Sequence, residues 1–412
     1  MRRRSFLAGA AAAGAMPLIT WETQAQTRDI DQKISAVELW QVTGDLKQYE
    51  DYLEEEYPRG GMVMSNFRRP RNAPSRVFMK IATDGGLEGF YGPHDTNVVN
   101  EILKIRSVVG MDPLAIDSVW ESLVTGNNRY TGPYMFAVSA ITNTLWDLKA
   151  KFCGLPVYKL LGGSRKVLDC YATCIGMPID TQDNIAEGAA RVKSVGFKGQ
   201  KWFPTQGPRE GAAGLEYNVN MMRTLREVCG NTDDIMIDGL TRWDLSFGMA
   251  WCKAVEKYRP RWLEEPFQTY LQLEPLARLR EMTSIPIATG EHNYGRRDAY
   301  DLMKAGAVDV LQIDPEWGGG ITELVKICHL ASVYNLIVCP HNQRSTALAH
   351  LVASQPESVC PFMEYQIDLQ PNLYYFDKNQ LFPKNSKITL PDLPGLGVEL
   401  DEDRIVSLEK IS

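Results

Sequence analysis

The sequence has no long hydrophobic run, no excess of positive charge, no paired-cysteine metal motif and no low-complexity tract. Each absence removes a class of protein. The longest apolar stretch, Ala8 to Ile19, is too short to cross a bilayer, which takes about 20 residues. Lys and Arg number 44 against 51 Asp and Glu, a net charge of -7. That balance argues against a nucleic-acid partner, whose phosphates are held by clustered Lys and Arg. No CxxC pair suggests zinc. The eight cysteines do not form a disulfide framework either. Cys170 and Cys174 fall in one apolar run that reads as a strand, which would set their Cα atoms about 13 Å apart, beyond disulfide reach. Cys153, Cys229, Cys252, Cys328, Cys339 and Cys360 are scattered among apolar neighbours, the pattern of buried free thiols.

What remains is a globular chain of 412 residues, 44% hydrophobic and 23% charged. That is more than one core usually carries, unless one domain is a large barrel. The start reads as a leader. Arg2, Arg3 and Arg4 precede Ser5-Phe6-Leu7 and the small apolar run. A charged start, a short apolar stretch and a small-residue cleavage site, here Thr23-Gln24-Ala25, make a signal peptide. Arg3-Arg4-Ser5-Phe6-Leu7 resembles a twin-arginine signal, so residues 1–26 are expected to direct export to the periplasm. The competing reading is a basic leader on a cytoplasmic protein.

Beyond the leader, Lys33 to Val42 reads as a strand. Gly44 to Ser75 is polar, charged and poor in periodicity, and reads as a long loop. Thr83-Asp84-Gly85-Gly86 between Arg76–Ala82 and Leu87–Tyr91 signals a hairpin. Helical patterns follow over Asn97–Val109, Pro113–Val124 and Pro133–Phe152. From Val167 short apolar runs alternate with amphipathic stretches. Strand–helix alternation means parallel strands, and eight such units in about 200 residues suit a closed barrel. The expected fold is therefore α/β: a modified (β/α)7β barrel with an α+β cap that the C-terminal tail completes. The expected boundaries are 33–155 for the cap, 156–369 for the barrel and 370–412 for the returning tail.

Barrel active sites lie at the carboxyl ends of the strands. Those ends deliver Lys201, Asp238, Glu264, Glu291, Asp314, His341 and Glu364. Ionisable groups concentrated at one mouth mark function rather than surface decoration. Asp238, Glu264 and Glu291 end consecutive strands, and three converging carboxylates repel one another unless a cation is present. Hard oxygen donors suit Mg²⁺, expected at one ion per subunit. Asp314 and His341 end the next two strands. A carboxylate beside an imidazole fixes its tautomer and raises its basicity, which makes His341 a general base.

These residues resemble those of the enolase superfamily in its mandelate racemase branch. The likeness extends to Ala137-Val138-Ser139-Ala140-Ile141, Trp146-Asp147-Leu148-Lys149 and the run Gly154 to Gly163. That superfamily uses a Lys or His base with Mg²⁺ stabilising an enediolate. The resemblance implies Asp238, Glu264 and Glu291 as metal ligands, Asp314 and His341 as the catalytic pair, Glu364 assisting at the eighth strand, and a homo-oligomer. Members often carry Lys-x-Lys on the second barrel strand. Here the run is Lys201-Trp202-Phe203, and positions 201 and 203 share a strand face. Phe203 therefore stands where a second base would be. A base on one face alone favours dehydration over racemisation, with Lys201 left as a cation near the substrate carboxylate.

Within the branch, Lys201-Trp202-Phe203 with Gly207-Pro208, and Gly290-Glu291-His292, resemble acid-sugar dehydratases of the L-rhamnonate type. His292 is expected either to stabilise the enediolate or to orient a neighbour. Asn66, Arg68, Arg69 and Arg71 in the polar stretch, and His94 after the hairpin, are candidates for reading substrate hydroxyls; a solvated charged face is the competing reading. Gly318-Gly319-Gly320 lacks the Lys-Ser/Thr of a phosphate loop and reads as a flexible turn before a helix. The expected function is Mg-dependent dehydration of an aldonate or aldarate to a 2-keto-3-deoxy acid, with a small-molecule partner and no membrane after leader removal. Two alternatives stand beside it: an epimerase, racemase or cycloisomerase on the same scaffold, and a non-catalytic sugar-acid-binding protein.

Overall fold

The computed structural model describes residues 30–59, 70–105, 107–126, 130–268 and 273–412. The leader, its cleavage site, and Asn66, Arg68 and Arg69 lie outside them. Among the described residues no helix is long and apolar enough to cross a membrane.

Strand β1 (Ile34–Thr43) pairs antiparallel with β2 (Ser75–Thr83), which pairs antiparallel with β3 (Glu88–His94). The last strand of the chain, β13 (Ser407–Lys410), pairs antiparallel with the other edge of β1, giving the order β13-β1-β2-β3. The tail thus completes the first sheet. Between β1 and β2 the sequence suggested only loop, but α1 (Leu46–Arg59) forms there. Asp45 caps it, accepting the Gln48 N–H at 2.8 Å, and Tyr49, Tyr52 and Leu53 bury one stripe of it.

Helices α2 (Thr96–Ile102) and α3 (Ile116–Val124) are shorter than the sequence pattern suggested. Helix α4 (Gly132–Cys153) starts on Pro133 and stops at Gly154, whose φ of 70° is the left-handed C-terminal cap that glycine permits. It packs against β2 and β3 on one side and, on the other, against a helix of the barrel. A short helix, α5 (Val157–Leu160), then leads into the barrel.

The barrel strands are β4 (Val167–Thr173), β5 (Gly199–Trp202), β6 (Asp234–Asp238), β7 (Trp262–Glu264), β8 (Ile287–Thr289), β9 (Val310–Leu311), β10 (Ile337–Val338) and β11 (Phe362–Gln366). Their pairings with one another are parallel, in the order β10-β9-β8-β7-β6-β5-β4-β11. The Val338 N–H donates to the Val359 carbonyl at 2.8 Å and brings the two ends of that order together. The outer helices are α6 (Gln182–Ser194), α7 (Gly211–Cys229), α8 (Leu245–Val255), α9 (Leu273–Glu281), α10 (Gly295–Lys304), α11 (Gly320–Val333) and α12 (Ser345–Ser354). A last short helix, α13 (Gln370–Tyr374), and β12 (Lys387–Thr389), antiparallel to β4, belong to the tail. Local signals set several boundaries: Thr181 accepts the Asn184 N–H at 3.1 Å and Asp244 the Phe247 N–H at 2.8 Å.

Tyr171, Met236, Trp262, Ala288, Val310 and Cys339 fill the barrel interior, so it is a packed core and not a pore. The three glycines before α11 do more than turn the chain. Gly320 has φ +81°, and a Cβ there would lie 2.2 Å from Thr142 Oγ1 on α4. The absence of a side chain is what lets α11 approach α4, with Ser139 and Asn143 accepting the Gly319 and Ile321 N–H groups at 2.8 and 2.9 Å. All eight cysteines are free thiols; Cys153 is exposed, against expectation, because it ends α4 at the surface.

Candidate active site

Hydrogen-bonded ladders in the barrel are shorter than the apolar runs. The chain peels away before the chemistry begins, so Glu291, Asp314 and His341 lie just beyond β8, β9 and β10 rather than on them. Gly290, with φ +126°, makes the first departure, and its N–H is held by Glu265 at 2.8 Å. Backbone bonds keep the loops in register: Gln312 N–H donates to the Thr289 carbonyl at 2.9 Å and His341 N–H to the Gln312 carbonyl at 3.0 Å. Asp238 and Glu264 close their strands and face each other across the ladder. Lys201 and Glu364 sit inside β5 and β11.

One half of the site is a buried charge cluster. Lys201 is 1% exposed. Its ammonium donates to Glu264, stands 2.8 Å from Glu364 Oε1, and lies 3.7 Å from Asp238 Oδ2. Burial opposes its charge, yet Glu264, Glu364 and Asp238 outweigh burial and hold it protonated, well above the ordinary lysine range. Glu364 is lowered in return: Lys201 and His341 overcome its burial. It also accepts from the Thr173 hydroxyl, and from the Asn342 N–H at 2.8 Å. Glu264 accepts the Trp262 indole N–H at 2.9 Å, so the interior core orients it. Phe203 is buried, with its ring centre 5.5 Å from Lys201 Nζ, so an apolar ring occupies that side of the site.

The other half is the imidazole. His341 Nδ1 lies 2.7 Å from Asp314 Oδ2, and the same carboxylate accepts the Glu316 and Gln343 N–H groups at 2.5 and 2.7 Å. With Asp314 fixed in this way, His341 is oriented. Its Nε2 faces Glu291 Oε2 at 3.6 Å and the Gln366 amide at 3.1 Å. Trp317 packs on the ring, with centroids 4.6 Å apart. Burial lowers the imidazole pKa, but Glu291 and Asp314 outweigh it and push it up to about 10. His292 is more exposed, 3.6 Å from Glu291 Oε1.

The chemistry of the donor set fits a hard cation. Burial, with Glu264 and Glu291 nearby, drives Asp238 well above the ordinary carboxylate range, although Lys201 opposes this. Burial drives Glu291 to about 7 even with His341 beside it. Asp238, Glu264, Glu291 and Glu364 thus crowd around one ammonium, and this unmet negative charge is what a divalent ion relieves. Among the described residues, no three metal-binding side chains already converge as a cage.

All seven residues read at the strand ends therefore come together, with His292 at their margin. Gln366 and Trp317 were not anticipated. Gln366 was findable, since it lies two residues after Glu364 and so on the same strand face. Trp317 reaches His341 through a loop with no periodicity to read.

The model of the enolase C-terminal domain-like family matches residues 184–404, and that of the mandelate racemase/muconate lactonizing enzyme N-terminal domain matches residues 61–162. The chain belongs to this branch of the enolase superfamily. A D-galactonate dehydratase of Ralstonia nicotianae is 30% identical over 361 residues, covering 83% of this chain and 92% of the relative. An L-rhamnonate dehydratase of Saccharopolyspora erythraea is 29% identical over 396 residues, covering 90% and 97%. The crystal structure of 3,6-anhydro-D-galactonate cycloisomerase from Zobellia galactanivorans superposes with TM-score 0.73 at 26% identity, covering 90% of this chain and 97% of that one. L-talarate dehydratase from Polaromonas sp. JS666, solved with Mg and L-glucarate, shares the fold at TM-score 0.72 and 24% identity, covering 92% and 99%.

Proposed function

We propose that this superfamily member is an acid-sugar dehydratase, a hydro-lyase that converts an aldonate or aldarate to a 2-keto-3-deoxy acid. The observation that carries the reading is the one-sided arrangement of proton-transfer groups. His341, held by Asp314, presents Nε2 to the site, while Phe203 fills the place of a second base beside Lys201. The dehydratase names of relatives about 30% identical over most of the chain support the same class.

Asp238, Glu264 and Glu291 would hold Mg²⁺. Bound there, it would supply Lewis acidity to the substrate carboxylate and take up the negative charge that Glu291 now lends to His341. His341 Nε2 removes the α-proton, with Asp314 stabilising the imidazolium. The electron pair moves into an enediolate, whose charge the buried Lys201 ammonium offsets. The β-carbon–oxygen bond then breaks, and the proton on His341 leaves with the hydroxyl as water, a syn elimination. Glu364, tied to Lys201 and Thr173, holds the cation in place. The product enol tautomerises to the 2-keto acid.

Incubation with a panel of aldonic and aldaric acids and Mg²⁺, followed by assay for 2-keto acids, tests this. An α-epimer or a ring-shifted isomer of unchanged mass, with no loss of water from any substrate, would overturn dehydration in favour of an epimerase or cycloisomerase. A sugar-acid-binding protein would keep its affinity and show no turnover to lose in His341→Asn.

We also infer that residues 1–26 direct export to the periplasm. The support is Arg3-Arg4 before a short apolar run. A fusion of this leader to a reporter that matures only after export should lose its signal on Arg3→Lys/Arg4→Lys; retention in the cytoplasm with the native leader would sink the inference.

A further inference from the structure

We propose that a small cavity beside the catalytic pair, built by His94 and Arg344, is a subsite for one hydroxyl at the far end of the substrate chain. The inference rests on the acid-sugar reading above and goes further, naming the group that is read and the residues that read it.

His94 closes β3, and Arg344 immediately precedes α12, so the cap and the barrel each supply one side. Both are buried, at 9% and 6% exposure. Arg344 Nη2 donates to the Pro93 carbonyl, and the guanidinium lies 5.4 Å from the centre of the Tyr91 ring. Its Nε and Nη1 have no hydrogen-bond partner, although the Glu316 and Asp377 carboxylates act on its charge from nearby. His94 Nε2 has no partner either. Buried donors and acceptors left unmet cost free energy, so such a pair at one cavity calls for a ligand. The cavity measures about 30 Å³, and its lining includes His94, Asp95, Arg344, Glu316, Trp317 and Gln343. Glu316 accepts the Tyr91 hydroxyl through Oε1.

The unmet atoms specify the chemistry. Burial and the Arg344 charge hold the His94 imidazole down at about 3, so it is neutral. Its other nitrogen bonds the Tyr91 backbone, which leaves the Nε2 lone pair free to accept. Arg344 can only donate. A group that gives a proton to His94 and takes one from Arg344 is a hydroxyl. A carboxylate cannot donate, and an ammonium cannot accept. The volume admits a water-sized group, which needs about 10–15 Å³ of such space. Water and a sugar hydroxyl have this same chemistry, the first in the resting protein and the second in the complex.

The cavity also lies in the right place. Trp317 and Gln343 form its wall toward the catalytic pair: Trp317 packs 4.6 Å from His341, and the Gln343 N–H donates to Asp314 at 2.7 Å. On the acid-sugar reading, a substrate chain that runs from His341 past Trp317 would bring a distal hydroxyl to the cavity.

Two arms test the proposal. In the first, wild type and His94→Leu are assayed on the best acid sugar and on its analogues deoxygenated at one distal carbon each. Wild type should lose about 10- to 100-fold in kcat/KM on one analogue, the loss of one buried hydrogen bond. His94→Leu should lose that factor on the parent and no further on that analogue, and His94→Gln should recover part of it. If His94→Leu discriminates among the analogues as wild type does, the hydroxyl is read elsewhere and the proposal fails. The second arm needs no turnover. Crystals of the ligand-free protein should show a water bridging His94 Nε2 and Arg344. An empty cavity, or a water that stays when an acid sugar fills the site, overturns the subsite. Should no acid sugar turn over, the dehydratase reading fails, and the ligand-free crystal still decides the hydroxyl chemistry.

Discussion

The Lys201 ammonium stands 2.8 Å from Glu364 and also donates to Glu264, so one buried cation ties two barrel strands across the mouth. Replacing it leaves at least two buried carboxylates uncompensated. Lys201→Met should lower kcat by about 10²- to 10³-fold, the scale for losing one preorganised charge. It should also destabilise the metal-free fold by about 3–5 kcal/mol, as breaking a buried ion pair does. Added Mg²⁺ should return part of that stability, read in urea melts with and without the ion. Equal melts for variant and wild type would mean the cluster is already balanced without Lys201.

His341→Asn keeps a polar, planar side chain, though a smaller one, and removes the base. Turnover should fall by about 10²- to 10⁴-fold, the usual contribution of a general base. The variant should also fail to exchange the substrate α-proton with deuterated solvent. Asp314→Asn should act in the same direction, since it unsettles the imidazole's tautomer while leaving its position. Exchange that survives in His341→Asn would move the base to another residue.

Metal binding should be visible without any substrate. Asp238 and Glu291 are pushed up by burial and by neighbouring carboxylates, and a divalent ion removes that cost. Titrating Mg²⁺ into chelator-treated protein should raise Tm in a saturable way, with a free-energy gain of about 2.7 kcal/mol at one hundred times Kd. Asp238→Asn should flatten the titration. A Tm indifferent to divalent ions would remove the metal from this site.

Acid sensitivity should trace in part to His350. Its Nδ1 takes the Tyr158 N–H and its Nε2 faces the Leu396 carbonyl, both at 3.2 Å, in a fully buried setting. Burial lowers its pKa to about 4, the Leu396 bond opposing. The unfolded chain takes up this proton near 6.5 and the folded protein only near 4, so the unfolded state binds more protons between those values. The stability this histidine provides is complete above about pH 6.5 and is lost as pH falls toward about 4, by about 3 kcal/mol in all. His94 works in the same direction, while Glu316 and Asp377, both raised by burial, work against it. His350→Gln should therefore lose less stability than wild type between pH 7 and pH 5 in denaturant titrations.

Gly320→Ala puts a Cβ within 2.2 Å of Thr142 Oγ1 at a φ of +81°. Strain and overpacking together should cost about 2–4 kcal/mol. Gly320→Ala/Thr142→Ala should recover the steric part and leave the backbone part. A single variant as stable as wild type would mean that α4 and α11 have room to separate.

The barrel was legible because its rhythm is a direct product of parallel pairing, and because strand ends deliver ionisable residues to one mouth. Strand lengths were overread: the apolar run Val308–Asp314 continues after the ladder of β9 stops at Leu311, since burial outlasts hydrogen bonding there. Helix α1 hid in a charged stretch whose short apolar stripe, Tyr49, Tyr52 and Leu53, is easy to miss among glutamates. Helix α12 was invisible for the opposite reason. It is buried from Ser345 through Ala353, so it has no polar face to give a period. The His341–Trp317 contact and the cavity shared by His94 and Arg344 bring together residues far apart in sequence, and no spacing rule reports them.

The sheet order β13-β1-β2-β3 has a consequence for how the molecule is made. Its first strand and its last are hydrogen-bonded neighbours, and everything else is threaded between them. Synthesis delivers the N-terminal half of the cap long before its edge partner exists. β1 must wait through the whole barrel for the residues that cover it. Loss of only the final residues, Ser407 onward, would leave an open strand edge on a finished barrel, a surface apt to seek a partner in another chain.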